Sequence, residues 1–343
     1  MKSRRRTLIA ASALALLGVS GTAIAASHGG RVTSASGPMV MAAPAPFAPN
    51  LDPGESNDVS LLPPVKPSRS PQAKHVGFHE FQADCAANRV AQDDPIVFPR
   101  QPGVSHSHTF VGGATTASST TGSLSAAKTS CTVPADHSSY WFPTMFNGDT
   151  PVLPKGPQII YYKSGIGAYN TVRAFPRGLR FVLGSPKATE AQFRRDSGVS
   201  GWTCGSSGAT YHFPATCPKN TNLIVRYKAP SCWDGKHLDS PDHKAHMAYP
   251  VKGACAAGHP VAVPMLEYKI SYPVTGSTAK LRLASGPAYS WHADFFAAWD
   301  MRTQEALVTQ CINGGGQCDA RGYDQHKPGR GRILDEEYRL PAR

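Results

Sequence analysis

Long apolar runs are scarce in this 343-residue chain. The run from Leu8 to about Val19 is shorter than the roughly 20 residues that span a bilayer as a helix, and no later stretch is long enough either. A helical membrane protein is therefore excluded. No C-x-x-C pair occurs, which argues against a cysteine zinc site. Dense Lys/Arg runs with interleaved aromatics are missing, so no nucleic-acid partner is expected even though the formal charge is +12. There is no G-x-S-x-G elbow, H-E-x-x-H, P-loop or dinucleotide fingerprint, and the active sites those motifs carry are not expected. Helical periodicity is also sparse.

What is present begins with an address. Lys2, Arg4, Arg5 and Arg6 precede the short apolar run, and Ala23-Ile24-Ala25 closes it as an A-x-A cleavage pattern. Residues 1–25 read as a secretory signal. The paired arginines leave the twin-arginine route open, although a threonine follows them. Cleavage would remove four basic residues and no acidic ones, leaving +8. Residues 26–73, rich in Pro, Ala and Ser, read as a disordered linker, because they offer too little apolar surface to offset the entropy of ordering. Residues 74–327 have the composition of one globular domain, and 328–343 read as a loose tail. A mature protein outside the cytoplasm is expected, in an oxidising compartment. Its eight cysteines are then expected in disulfides, and short loops favour the sequential pairs Cys85–Cys131, Cys204–Cys217, Cys232–Cys255 and Cys311–Cys318.

Within the domain, strand signals outnumber helix signals. Runs at 158–162, 178–184, 222–227, 261–270 and 279–284 are β-branched or aromatic, and Gly, Pro, Asn and Ser clusters separate them. Two helices are expected: a short one from Thr189 to Asp196, and a longer one from His292 to Val308 with Phe295, Phe296, Trp299 and Leu307 on one face. The fold expectation is all-β or β-rich α+β: a single disulfide-stapled sandwich or jelly roll with long loops.

Three polar clusters stand out. His106 and His108 in SHSHT share a face if the segment is a strand, which makes half of a metal site. The segment CWDGKHLDSPDHKAHMAYP, residues 232–250, holds His243 and His246 at i and i+3, neighbours on a helical turn, with Asp239 or Ser240 as cap. Asp239 and Asp242 are candidates to orient those rings or to move protons, and Trp233 and Lys244 are candidate binding residues. In SWHADFF, His292 and Asp294 would share a face on a strand, whereas at a helix start Asp294 would favour the positive end, and the neighbouring carboxylate could fix the imidazole tautomer. Tyr140 and Trp141 belong to an aromatic patch fit either for a sugar groove or for a core.

The segments DPIVFPRQPGVSHSHTFVGG, SSYWFPTM, CPKNTNLIVRYKAPSCWDGKHLDSPDHKAHMAYP, CAAGHPVAVPMLEY and HADFFAAWD resemble the secreted family known as domain of unknown function 1996, from about His75 to Cys311. That resemblance implies a secreted single domain with a shared polar site, and no particular reaction. The leading expectation is one pocket in which His106, His108 and His243 or His246, with His292 as a further candidate, bind a divalent metal: copper, zinc or calcium. Asp239, Asp242, Asp294 and His292 would carry the chemistry on an extracellular or cell-wall polysaccharide. Two alternatives stay open: a metal-free glycoside hydrolase using two of Asp234, Asp239, Asp242 and Asp294, and a carbohydrate- or wall-binding protein without turnover.

Overall fold

The structure, a computed structural model, describes residues 47–59, 77–205 and 208–342. The expected signal and most of the expected linker lie outside the described residues. The domain is built on nine antiparallel strands. In chain order they are β1 (Glu80–Ala91), β2 (His108–Gly112), β3 (Ser139–Pro143), β4 (Pro157–Lys163), β5 (Arg180–Gly184), β6 (Val199–Cys204), β7 (Leu223–Lys228), β8 (Met265–Tyr272) and β9 (His292–Phe296). They lie in the order β5-β9-β3-β2-β1-β4-β8-β7-β6.

The sheet curls at β1. The first half of that strand pairs with β4 and the second half with β2, and the register slips between Ala87 and Arg89. A slip of this kind is a bulge, which bends and twists the strand that carries it. One half-sheet is thereby folded against the other in a sandwich-like all-β architecture. The rings of Phe81, Tyr162 and Trp299, of Tyr140 and Phe295, and of Tyr268 and Trp291 meet in the layer between. A polar chain is buried there too. The Tyr140 hydroxyl donates to Asp136 at 2.8 Å and meets that of Tyr162 at 2.5 Å, which also accepts from Trp299 Nε1 at 2.8 Å.

The two halves differ in how they use their outer faces. β7 alternates buried and half-buried residues, as a sheet with one covered face should. β2, β3 and β9 are buried at every position, so both of their faces are covered. The outer cover is a second small core in which Ile96 and Leu124 pack onto Phe110, Trp141, Val182 and Phe296. Leu124 comes from a short helix, α1 (Thr121–Ser125).

The short helix expected near Thr189 is α2 (Glu190–Arg195), opened by a Thr189–Gln192 capping box. The helix expected from His292 to Val308 is a different object. Its first five residues are β9, because Ala293 and Phe295 face the inner core while Asp294 and Phe296 face outward, a period of two. Asp300 then caps a helix that covers only Met301–Leu307, α3. The run expected at 261–270 breaks around Val263-Pro264 into a two-residue bridge strand and β8.

Four disulfides join Cys85–Cys131, Cys204–Cys217, Cys232–Cys255 and Cys311–Cys318, and no free cysteine remains. Such bridges typically stabilise by about 2–4 kcal/mol each. No helix among the described residues is long and apolar enough to cross a membrane.

Two described segments, 47–59 and 328–342, make more contacts with the domain than composition implies. Residues 47–59, counted with the linker above, strap across the domain. Asn50 accepts from Arg180 Nη1 at 2.8 Å through its carbonyl and donates to Ser119 O at 2.7 Å. Asn57 donates to Asp239 O at 3.0 Å and accepts from Leu238 N at 2.9 Å. These are polar and backbone bonds, which hydropathy does not register. In the expected loose tail Leu334 is buried, and its N–H bonds to Arg321 O.

Burial raises the Asp136 pKa from 3.8 to about 7 despite donation from Tyr140 and Ser138. An acid held more tightly protonated in the native state contributes stability at low pH. That contribution is lost as pH rises from about 4 to about 7. Urea unfolding of Asp136→Asn and wild type, compared at pH 4 and pH 7, is expected to show the variant gaining on wild type by a few kcal/mol over that window.

Candidate metal centre

The centre lies on the covered outer face, and strand register assembles it. Phe110, Trp141, Asp294 and Val182 sit opposite one another across β2, β3, β9 and β5. Two residues along each strand comes the next outward row. There His108 lies opposite Pro143, and His292 lies opposite Gly184. With only a proline ring between them, the two imidazoles approach to 5.7 Å between centroids. His106, two residues before the start of β2, closes the group at 4.2 Å from His108 and 5.0 Å from His292.

The tautomers follow from the hydrogen bonds. His108 Nδ1 is 3.0 Å from the Asp93 carbonyl, and His292 Nδ1 is 2.9 Å from the Ser290 carbonyl. A carbonyl only accepts, so each Nδ1 carries the proton and each Nε2 keeps its lone pair. Nε2 of His106 and of His108 are buried without a protein partner, and so are both carboxylate oxygens of Asp294. One nitrogen from each of His106, His108 and His292 lies within 4.8 Å of the others. Asp94, His108 and Asp294 form a second such group, with His108 common to both.

Burial shifts both kinds of group toward their neutral forms. Burial lowers the His106 pKa to about 4 and that of His292 to about 3, the latter helped by the charge His106 would carry. His108 falls well below 6.5 through burial and its two imidazole neighbours. Burial and the nearby Asp94 push Asp294 well above 3.8, and burial takes Asp94 up to about 6. Neutral imidazole is the ligand form for a divalent metal, whereas a carboxyl with a raised pKa must give up its proton before it can bind one. Imidazole suits zinc, copper and iron. Calcium, which takes six to eight oxygens, fits poorly.

The structure brings His106, His108, His292 and Asp294 together and leaves His243 and His246 outside. The DSPDHKAH segment is a turn, not a helix. Asp242 Oδ1 accepts from the Ser240 hydroxyl and from the Lys244 and Ala245 amides, and His243 adopts φ +58°. The i, i+3 geometry that would pair the two histidines therefore never forms. His246 has both nitrogens engaged, by Ser240 Oγ at 2.8 Å and the Arg180 carbonyl at 2.9 Å. His243 Nδ1 bonds the Asp239 carboxylate, which also accepts from Ser240 N. Asp239 and Asp242 thus brace this turn. Burial alone would raise the Asp242 pKa, but the N–H and O–H groups around it bring it below 3.8. Asp234 is likewise occupied, by His237 and the Lys236 amide.

The aromatic residues expected to bind ligand do not face solvent. Tyr140, Trp141 and Trp233 are fully buried, the first in the inner core, the second under the outer cover and the third with its Nε1 bonded to His237 O. Phe47 and Phe78 are the large aromatics exposed among the described residues. The expected sugar-stacking surface is therefore missing from Tyr140, Trp141 and Trp233. Lys244 alone of the expected binding residues is exposed, with Nζ donating to the Gly184 carbonyl. Sequence reasoning missed Asp94, although it heads the DPIVFPRQPGVSHSH stretch and its Oδ1 caps the turn through the Ile96 and Val97 amides. The Cys85, Cys131 and Asp136 side chains also converge, but both sulfurs are committed to a disulfide.

These features define a disulfide-stapled all-β domain with a buried histidine–aspartate centre. The chain belongs to the family described as domain of unknown function (DUF1996), whose profile matches residues 94–299, from Asp94 of the centre to Trp299 of the inner core. No curated protein and no solved structure matches the chain.

Replacing His246 by Gln should leave Ser240 Oγ and the Arg180 carbonyl imperfectly paired and cost about 1–3 kcal/mol in urea unfolding. Unchanged stability would mean that the ring does not brace the turn.

Proposed function

We propose that this chain is a secreted metal-dependent enzyme whose centre holds one divalent transition metal on His106, His108 and His292. The observation that carries the reading is the set of buried, unpaired lone pairs. His108 spends its Nδ1–H on a backbone carbonyl, its Nε2 and that of His106 are buried without a partner, one nitrogen of His292 lies within 4.8 Å of a nitrogen on each of those rings, and both oxygens of Asp294 are unpaired as well. Buried polar atoms in folded proteins are normally satisfied, so a cluster of orphans calls for something to bind them. Three imidazoles fill three positions of a tetrahedral ion and leave one for water or substrate. Asp294 and Asp94 flank His108, where a carboxylate can accept the proton of an activated water. The leader read in residues 1–25, together with four disulfides, supports an extracellular setting.

A metal-free glycoside hydrolase is less well supported. Asp234, Asp239 and Asp242 are taken up in turns, and Asp94 and Asp294 are buried at 4% and 1% exposure.

Elemental analysis of the mature, disulfide-bonded protein should find about one equivalent of zinc, copper or iron. His108→Ala and His292→Ala should lose it, whereas His246→Gln should keep it. Adding the metal to stripped protein at about one hundred times its Kd should stabilise it by about 2.7 kcal/mol, read as a rise in Tm. A stripped protein whose Tm ignores all three metals would overturn the reading.

A further inference from the structure

Beside the centre lies a cleft that no step above uses and that none of the centre's own side chains lines. Gly184, at the end of β5, is the cross-strand partner of His292, and its carbonyl accepts from Lys244 Nζ. The lysine charge acts on both His292 and Asp294. From this point a cleft of about 410 Å³ runs outward between β5, α2 and β7, lined by Val182, Gly184, Phe193, Asp196, Tyr227 and Lys244. Its volume falls in the range of small-molecule sites, roughly 300–1,000 Å³.

The chemistry of the lining selects an occupant. Asp196 is spent inside the protein: Oδ1 accepts from the Gly198 amide and Oδ2 from the Tyr227 hydroxyl. Lys244 keeps donors to spare, although Asp294, Asp196 and Asp242 are near enough to act on its charge. Its ammonium has three donors, and one reaches a backbone carbonyl. Lys187 adds a second cation to the lining. Between the two lie the apolar surfaces of Val182, Ala188 and Phe193. A charged donor beside an apolar wall fits an anion with an apolar body.

The backbone is shaped for this approach. A Cβ on Gly184 would come within 3.0 Å of the Trp291 carbonyl and of the Tyr227 ring, and within 3.1 Å of His292 Cα, at φ +72°. Only glycine leaves the carbonyl and the cleft where they are.

We propose that this cleft is the substrate subsite of the centre, and that it takes a small organic carboxylate. The acid group meets Lys244 at the end nearest His292, and the apolar body lies along Phe193 and Val182. This assignment rests on the reading of the centre given above for its catalytic meaning, but the binding itself does not require metal.

Benzoate is the probe and benzamide its uncharged counterpart, titrated calorimetrically at pH 7 into metal-loaded and stripped protein. Benzoate is expected to bind both forms, with benzamide at least about tenfold weaker, the worth of one charge-assisted hydrogen bond. Lys244→Met should lower benzoate affinity by about the same factor, Lys244→Arg should restore most of it, and bound metal should be unchanged in both. Equal binding of the two probes, no benzoate binding, or a Lys244→Met variant that binds benzoate as wild type does would overturn the proposal. Loss of benzoate binding with metal retained sinks the cleft alone. Benzoate selectivity in a protein that takes up no metal sinks only the centre.

Discussion

A sheet face roofed by a loop must be apolar, or must satisfy its polar groups where they stand. The outer face of β2, β3 and β9 obeys this rule at one end and breaks it at the other. Phe110, Trp141, Val182 and Phe296 pack under Ile96 and Leu124 in the ordinary way. Next to them on the same strands, His108, His292 and Asp294 are buried as deeply, and His108 Nε2 and both Asp294 oxygens find no partner. The roof makes the site: it strips water from these groups, holds the imidazoles neutral and leaves both oxygens of Asp294 without a hydrogen-bond partner. Every functional statement about this protein depends on that burial.

The cost falls on the rest of the fold. An unpaired buried polar group opposes folding by about 1–3 kcal/mol, and more for a charge. The domain offsets this with an aromatic layer between its half-sheets, four disulfides and a strap that ties its covered side down. The turn around Asp239 and His246 belongs to the same support. It bonds the Arg180 carbonyl in β5, and β5 in turn pairs with β9. The residues that looked most like ligands in the sequence hold the platform on which the candidate ligands stand.

How much of this could be read from the chain depends on how many faces of each strand are covered. β4 and β7 alternate visibly, and their sequences declared them. β2, β3 and β9 have two buried faces and no alternation, so none stood among the expected strand runs: SHSHT was a strand only by condition, SYWFP passed as an aromatic patch, and HADFF stood both as a strand and as the start of a helix. The pairs His106/His108 and His292/Asp294 were legible because i, i+2 spacing is local. That His292 belongs beside His108 was not, because it depends on β3 lying between β2 and β9 with Pro143 at the crossing. His243 and His246 drew attention for a sound reason that failed locally: the Ser240–Asp242 hydrogen bond turns the chain before a helix can start. The strap escaped notice because its contacts are amides and carboxylates, which hydropathy cannot weigh.

The strap also dictates an order of events. Asn57 bonds a carbonyl 182 residues further along, so it leaves the ribosome long before its partner exists. His106 and His108 likewise wait for β9 near the far end of the domain. No shorter nascent fragment contains the three imidazoles together, and a chain threaded through a membrane pore would carry them across apart. Capture of a metal by this centre would therefore be an event of the finished fold, with the ion taken from where folding ends rather than from where translation begins.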